Sequence, residues 1–281
     1  MSSPVIDFHI HAVHYEQYNE SALEYMQNAQ AGAGNDWETF YQRYRQPEQF
    51  VQYLQSIGVD YGVMLAELCP AGTGTCTNDY ILQYCAGQEK LIPFASVNPY
   101  LTPSPRNELK QLLDSGFRGL KLYPTYQLFY PNETLLYPLY ALAEDRQIPV
   151  MFHTGTSVFK GSRLKYGNPL FLDDIAVDFP DLPIAIVHSG RGFWYQQAFF
   201  LARLHENVYM EVAGLPPQKL LTYFPELERI ADKVLFGSDW PGLKDIGENI
   251  NVIRSLPLSA AAKEKILGQN AAKLLKLPLN L

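Results

Sequence analysis

Two histidines one residue apart mark the first place where this chain could do chemistry. Asp7-Phe8-His9-Ile10-His11 extends an apolar run that reads as a strand. Residues two apart on a strand project from the same face, so His9 and His11 can reach one ion. Neutral imidazole is a good donor to zinc and related metals. Three further fragments repeat the placement of a polar group after an apolar run. Val150-Met151-Phe152 ends in His153, Ile184-Ala185-Ile186-Val187 ends in His188, and Leu235-Phe236-Gly237-Ser238 leads to Asp239. Of the six histidines, four fall at such positions, whereas His14 and His205 do not. Core packing explains one such histidine and explains the joint pattern poorly. His9, His11, His153 and Asp239 together make a three-imidazole, one-carboxylate metal site with room for water, and His188 stands beside it. Asp7 is close enough to support the ligands from behind or to cap the strand entrance.

Elements of a definite kind must position these groups. Strands are expected at Val5–His9, Tyr61–Leu65, Leu91–Val97, Gly119–Leu122, Pro149–Phe152, Ile184–His188, Val208–Glu211 and Val234–Phe236. Most are continuous apolar runs, the pattern of strands buried on both faces in a parallel sheet. Helical periods lie between them, as at Pro47–Ile57 closed by Gly58, and at Ser104–Ser115 closed by Gly116. Asn132 is expected to cap a helix over 133–146, and Ala260–Lys276 reads as one or two closing helices. Eight strand–helix repeats point to an α/β fold, a single-domain, distorted (β/α)8 barrel spanning residues 1–281. In such barrels catalytic side chains sit at the carboxyl ends of the strands, where these histidines and Asp239 fall. One segment breaks the rhythm. Residues of about 15–47, rich in Tyr and Gln and including Tyr15, Tyr18, Tyr25 and Trp37, read either as a lid or as a helical surface insertion.

Composition narrows the alternatives. With 281 residues, 47% of them apolar and 13% aromatic, the chain can bury a large core, which excludes disorder. A net charge of −7 argues against nucleic acid and anionic membranes as partners. No run approaches the roughly 20 apolar residues of a membrane span, and no basic-then-apolar leader is visible. Cys69, Cys76 and Cys85 cannot all pair and match no zinc cluster, so a reduced, cytoplasmic setting is expected. Gly72-Thr73-Gly74 and Gly32-Ala33-Gly34 read as turns rather than nucleotide fingerprints. Glu67 follows the second strand and could reach the barrel mouth, with a loop surface the stronger expectation.

The motifs taken in order resemble a known family over nearly the whole chain. They are Asp7-Phe8-His9-Ile10-His11, the run from Gly116 to Pro124, the two histidine strands, Phe236-Gly237-Ser238-Asp239-Trp240-Pro241, and Gly268-Gln269-Asn270-Ala271-Ala272. They are similar to the amidohydrolase-related branch of the amidohydrolase superfamily. That branch includes aminocarboxymuconate-semialdehyde decarboxylase, resorcylate decarboxylase, pyrone-dicarboxylate lactonase and other metal-dependent hydrolases. The resemblance implies a distorted barrel in which His9, His11, His153 and Asp239 hold a divalent cation and His188 is catalytic. One ion, most simply Zn2+, is expected, and a second is compatible with the pattern. Relatives often carry histidine where this chain has Tyr123. In two-metal amidohydrolases a lysine on the strand of Lys121 is carboxylated and bridges the metals. The resembled branch more usually holds a single metal, so an ammonium anchoring an anionic substrate, or a structurally paired lysine, is the expectation for Lys121.

A cation at such a site lowers the pKa of its water to about 7. Asp239 then serves as both ligand and proton acceptor, and His188 steers the water or the substrate carbonyl. Arg191, Lys121, Tyr123 and Trp240 are the candidate substrate contacts. Arg163, Lys160 and Trp194 carry the same chemistry, but their positions suit solvated loops or core equally well. The expected activity is hydrolysis of a small lactone, amide or ester of a carboxylic acid. Nonoxidative decarboxylation of a small aromatic or unsaturated acid uses the same ligands and is the alternative. A non-catalytic binding barrel ranks third, because every water-activating residue is present. Oligomeric state is left open, with the aromatic insertion suited to a lid or to an interface between copies.

Overall fold

The eight apolar runs all form strands, and their alternation decides which side chains face the barrel axis. The computed structural model describes residues 3–14, 17–243 and 245–277. Tyr15 and the two ends of the 1–281 span lie outside the described residues. In chain order the elements begin with β1 (Ile6–His11), α1 (Glu20–Ala31), α2 (Trp37–Tyr44) and α3 (Pro47–Ser56). There follow β2 (Tyr61–Leu65), two short strands β3 (Glu67–Cys69) and β4 (Gly74–Cys76), α4 (Asn78–Cys85), β5 (Leu91–Ser96) and α5 (Pro105–Asp114). The middle holds β6 (Gly119–Leu122), α6 (Pro124–Gln127), α7 (Tyr137–Asp145), β7 (Val150–His153) and α8 (Phe171–Asp178). Then come β8 (Ile184–Val187), α9 (Tyr195–Leu204), β9 (Val208–Glu211), α10 (Leu220–Tyr223) and β10 (Val234–Leu235). The chain closes with α11 (Ile246–Ser255), α12 (Ala260–Glu264) and α13 (Asn270–Leu275).

Eight strands pair in the order β1-β2-β5-β6-β7-β8-β9-β10, each pair parallel. The seam between β10 and β1 is closed by Phe8 N–H to Phe236 O at 2.9 Å and His11 N–H to Trp240 O at 2.8 Å. This is the expected single-domain (β/α)8 barrel in distorted form. The antiparallel hairpin of β3 and β4 stands apart from the barrel sheet, and its strands fall in a stretch that reads as loop.

Two apolar layers hold the barrel. Outward residues such as Leu120, Leu122, Val150, Phe152, Ile184 and Ile186 pack beneath the helices. Inward residues, among them Ile6, Phe8, Val63, Leu65, Phe94, Met151 and Val187, fill the lower barrel together with Ala271, Ala272, Leu274 and Leu275 of α13. The C-terminal helix thus plugs the amino-terminal end of the barrel and leaves the other end for a site. In β1 the alternation changes phase. The register with β2 slips between Asp7 and Ile10, so Ile6 and Phe8 face the axis while Ile10 joins the outer layer. Such a bulge re-aims the side chains beyond it, and here it turns His9 and His11 inward.

Several local readings need correction. Asn132 does not cap the next helix. It donates to Asp174 Oδ2 at 2.7 Å, and a 3-10 turn at Thr134–Leu136 precedes α7. The insertion is helical, forming α1 and α2, with α2 capped by Asp36 accepting from Thr39 N–H at 2.9 Å. Trp240 packs in the outer layer and is stacked 4.6 Å from Phe50, with Phe40 and Tyr44 at 5.3 and 5.4 Å. Among the described residues no helix is long and apolar enough to cross a membrane, and all three cysteines are free and buried.

Phe50 is fully buried under the Trp240 indole. Phe50→Ala is expected to cost about 3–5 kcal/mol, read as a lower urea midpoint with an unchanged slope. A loss below about 1 kcal/mol would mean that this aromatic stack does not anchor the insertion to the barrel.

Candidate metal centre

The bulged end of β1, the loop after β10 and the ends of β7 and β8 converge on one cavity of about 290 Å³. His9 Nε2 and His11 Nε2 lie 3.1 Å apart. Asp239 Oδ1 sits 3.3 Å from the first and 3.5 Å from the second. Two imidazole lone pairs turned toward each other beside a carboxylate suit a shared cation, because without one the nitrogens compete for a single proton. His153 lines the same cavity at the end of β7, and its Nε2 is buried without a hydrogen-bond partner. Its ring centroid is 4.7 Å from that of His188. Two tight clusters among the described residues share His9: one with His11 and Asp239, which faces the cavity, and one with His188 and Glu211 behind it. His153 stands one ring further along the wall with a free donor atom. This nitrogen-rich set with one carboxylate fits a zinc- or manganese-like divalent cation.

Backbone conformation aims the groups at the cavity floor. His188, Ser189 and Asp239 have φ of +60°, +47° and +63°, a region that costs a non-glycine residue roughly 1–2 kcal/mol. Strain of this kind gathers at functional sites when the surroundings enforce it. Here Asp7 Oδ1 accepts from His9 N–H at 3.1 Å and from Ser238 N–H at 2.9 Å, while Asp239 N–H donates to His9 O at 3.0 Å. Asp7 thus clamps β1 to the loop bearing Asp239, and burial pushes its carboxyl up to about 7. His188 Nδ1 lies 2.7 Å from Ala213 O. A carbonyl can only accept, so Nδ1 carries the proton. Burial first, then Arg191, holds the ring well below the ordinary histidine range, so His188 is neutral with its Nε2 lone pair available.

Electrostatics divide the ligands. Burial and then the Lys121 ammonium keep His9 and His153 neutral. Burial also opposes charge on His11, but Asp239 and Glu67 outweigh it and raise its pKa to about 9. Asp239 remains ionised. Burial would raise it, but the contacts with His11 and His9 and the nearby Arg191 hold it below the usual carboxylate range.

The other expected contacts divide unevenly. Arg191 lines the cavity, with Nη1 3.9 Å from Asp239 Oδ2 and Nη2 donating to Thr156 O at 3.2 Å. Tyr123 lines it too, its hydroxyl donating to Ala66 O at 2.9 Å. Lys121 points into the barrel as its strand parity demands, but the ammonium is fully buried, unpartnered, and 5.0 Å from the Tyr123 ring. It lies below the cavity wall, and the expectation of direct substrate contact is corrected on that ground. Trp240 is corrected as well. Asp239 turns inward, and the following indole enters the outer aromatic stack, where no substrate reaches it. Arg163 and Lys160 are exposed, and Arg163 is held by the carbonyls of Gly161 and Ser162.

Residues not singled out in the sequence complete the site. Glu211 is fully buried, accepts from the backbone N–H of His188 at 3.2 Å and of Ala213 at 2.9 Å, and lies 3.5 Å from His9 Nδ1. It ends β9, so the strand-end rule that finds His153 also finds it. Glu67, expected on a surface, is buried with Oε2 3.2 Å from His11 Nδ1. The roof comes from the insertion and the loop after β7, where Tyr25 meets Phe159 edge-on at 5.3 Å. Gln30 of α1 ties this roof to the loop after Asp239 by donating to Pro241 O at 2.7 Å.

Two outcomes are expected. For His11 to donate Nε2 to a cation it must lose a proton held up to about pH 9. Mn2+ affinity should therefore rise about tenfold per unit up to that pH and flatten above it. A flat profile between about pH 7 and 9 in a titration calorimeter would remove His11 from the ligand set. Gly214 has φ +68°, and a Cβ there would lie 2.5 Å from Arg191 Nη1, 2.8 Å from Asp239 Oδ2 and 3.1 Å from His188 Nδ1. Gly214→Ala is expected to cost about 1–3 kcal/mol and to weaken Mn2+ binding. Wild-type affinity in that variant would show that the three side chains can spread freely.

Comparison with known proteins places this geometry in context. No curated protein matches the sequence. An uncharacterized TIM-barrel protein from Bordetella bronchiseptica shares 24% identity at a TM-score of 0.80, covering 97% of this chain and 98% of its own. A dihydroxybenzoic acid decarboxylase from Polaromonas sp. JS666, with bound manganese and the inhibitor 2-nitroresorcinol, shares 18% identity at 0.66, covering 98% and 97%. A probable 2-pyrone-4,6-dicarboxylic acid hydrolase from Acinetobacter baumannii, with citric acid bound, shares 20% at 0.65, covering 97% and 99%. At these identities the likenesses establish the barrel fold. The model of the amidohydrolase family matches residues 6–277, and the chain belongs to that family.

Proposed function

We propose that this chain is a metal-dependent hydrolase that opens a small lactone, amide or ester bearing a carboxylate. His9, His11 and Asp239, with His153 beside them, would hold the divalent cation, zinc or manganese. Such a cation polarises the substrate carbonyl and acidifies water in its coordination sphere. The observation that carries the reading is the pairing of two proton acceptors at the cavity floor. Asp239 is ionised, and His188, its Nδ1 proton committed to Ala213 O, offers the Nε2 lone pair. His188 is thus suited to accept a hydrogen bond from the attacking water and orient it, rather than to donate to the carbonyl. Asp239 takes the proton as the oxygen–carbon bond forms, and returns it to the leaving oxygen or nitrogen as that bond breaks. Arg191 is the cationic side chain on the cavity wall and grips the substrate carboxylate. Tyr123 shapes the wall with its hydroxyl already spent on Ala66. The insertion at about 15–47 serves as a cover, since Tyr18, Ala22, Tyr25 and Met26 line the cavity. All these residues come from one chain, so the reading needs no second copy.

Decarboxylation is the second reading, favoured by the aromatic walls of Tyr18, Tyr25, Tyr126 and Phe159 and by the decarboxylase among the structural neighbours. There a carbon–carbon bond breaks, carbon dioxide leaves, and the electron pair left on carbon takes a proton. Neither Asp239 nor neutral His188 holds that proton in this state, which favours hydrolysis.

A panel of lactones, esters and hydroxybenzoates with the Mn2+- or Zn2+-loaded protein separates the readings by product mass. Gain of water is expected. Release of carbon dioxide instead would overturn hydrolysis. Asp239→Asn should lower turnover by about 10²–10⁴-fold or more while the far-ultraviolet dichroism is unchanged, and a near-normal rate would refute its role.

A further inference from the structure

Each imidazole of β1 has a second nitrogen, and both of these face carboxylates that come from elsewhere in the fold. His9 Nδ1 lies 3.5 Å from Glu211 Oε2, but the Glu211 oxygens are already occupied by the backbone N–H groups of His188 and Ala213. Its main work is to hold the ends of β8 and β9. Glu67 differs. Its Oε2 is 3.2 Å from His11 Nδ1, an ion-pair contact just outside hydrogen-bond geometry, and that nitrogen has no hydrogen-bond partner among the described residues. Its Oε1 is occupied by the Thr73 hydroxyl. Thr73 is itself fixed, because Asn19 N–H donates to Thr73 O at 2.9 Å, next to the bridge between Tyr18 and Gly74. Glu67 is therefore a buried carboxylate braced on one side and aimed at the imidazole on the other, on a hairpin outside the barrel sheet.

From this geometry we infer that Glu67 is a positioning residue for His11, holding the Nδ1–H tautomer so that Nε2 presents its lone pair to the cation. The inference rests on the metal-centre reading above. A carboxylate behind a ligating imidazole fixes the ring and raises its basicity, and loss of such a partner weakens metal binding about 10–100-fold. Because the β3–β4 hairpin also walls the cavity through Glu67 on β3 and Thr73 in its turn, the wall that meets the substrate also steers a ligand.

The test titrates Mn2+ into chelator-stripped full-length protein at one pH, following free Mn2+ by electron paramagnetic resonance. Glu67→Met removes the acceptor and is expected to weaken binding about 10–100-fold. Glu67→Gln keeps an accepting oxygen and is expected to restore much of that loss. In the Zn2+-loaded protein, long-range proton–nitrogen-15 spectra should show His11 protonated at Nδ1 in the wild type and in Glu67→Gln, but a mixture in Glu67→Met. His11→Ala and Asp239→Asn serve as references. If they lose Mn2+ while Glu67→Met binds within about twofold of wild type, well short of that loss, this inference fails and the metal centre stands. If they too bind as wild type does, the metal-centre reading falls and takes the inference with it. Should Glu67→Met not fold, Glu67→Asp decides, since its oxygen is withdrawn by one methylene. Weakened binding supports the inference, and unchanged binding overturns it.

Discussion

The rest of the structure depends on how β1 is joined to the segment after β10. Closing an eight-stranded barrel requires the last strand to find the first. Here the bonds that close the seam are also the ones that bring the ligands together. His9 O accepts from Asp239 N–H at 3.0 Å, and His11 N–H donates to Trp240 O at 2.8 Å. Asp7 Oδ1 bridges His9 N–H and Ser238 N–H within the same few ångströms. Because the bulge in β1 reverses its alternation, the bonds that close the barrel present His9, His11 and Asp239 to one point. The left-handed conformation of Asp239 costs free energy that a looser seam would recover by relaxing. Fold and site are therefore not separable at this edge, and a change that opens the seam disperses the cluster.

Beneath the cluster lies a second constraint, of charge. Lys121, Glu211 and Asp7 are all wholly buried. Burial pulls the Lys121 ammonium down and pushes the Glu211 carboxyl up, and each is partly rescued by the other's opposite charge. Buried opposite charges that influence each other only at a distance seldom add net stability, because desolvation offsets the attraction. Their use here is local. The ammonium disfavours the protonation of His9 and His153, second only to burial, and so helps keep both rings neutral. Glu211 accepts from the backbone N–H of His188 at the left-handed turn and from that of Ala213 after β9. A charged floor that contributes little to the fold thus sets the protonation state of the site above it.

Much of this was legible in the amino-acid sequence, for identifiable reasons. Strands buried on both faces read as unbroken apolar runs, so all eight barrel strands were visible, and polar residues at their ends stood out. Leu120 and Leu122 pack in the outer layer, and strand alternation therefore sends Lys121 between them inward. Parity failed where the backbone leaves regular strand geometry. The bulge in β1 and the φ of +63° at Asp239 cannot be seen in residue types, and the second of these sends Trp240 outward to Phe50. Glu67 was hidden because β3 has only three residues and pairs with β4 rather than with the barrel. Glu211 was not hidden, since alternation along Val208–Glu211 places it inward with Tyr209. It was overlooked because a carboxylate at a strand end carries less metal-site signal than a histidine.

The division between seam and walls also explains why one ligand set can serve more than one reaction. His9, His11, His153, His188 and Asp239 lie at strand ends whose positions the barrel dictates. The walls come from excursions that the barrel does not dictate: the β3–β4 hairpin, the helix α1, and the loop after β7 that carries Thr156 and Phe159. Changing α1 or the loop after β7 alters what enters the cavity without touching the candidate ligands, whereas the hairpin reaches His11 through Glu67. Changing the proton inventory of the floor alters the reaction, because hydrolysis needs an acceptor for the water proton and decarboxylation needs a donor to carbon. In this chain the acceptors are present at Asp239 and at His188 Nε2. The wholly buried Lys121 ammonium lies 5.0 Å from the Tyr123 ring and does not line the cavity. A lyase built on these ligands would need a proton delivered from the walls, and the Tyr126 and Tyr123 hydroxyls that face that side are pushed far above neutrality by burial. The two reactions thus share these strand ends and part at the proton each requires.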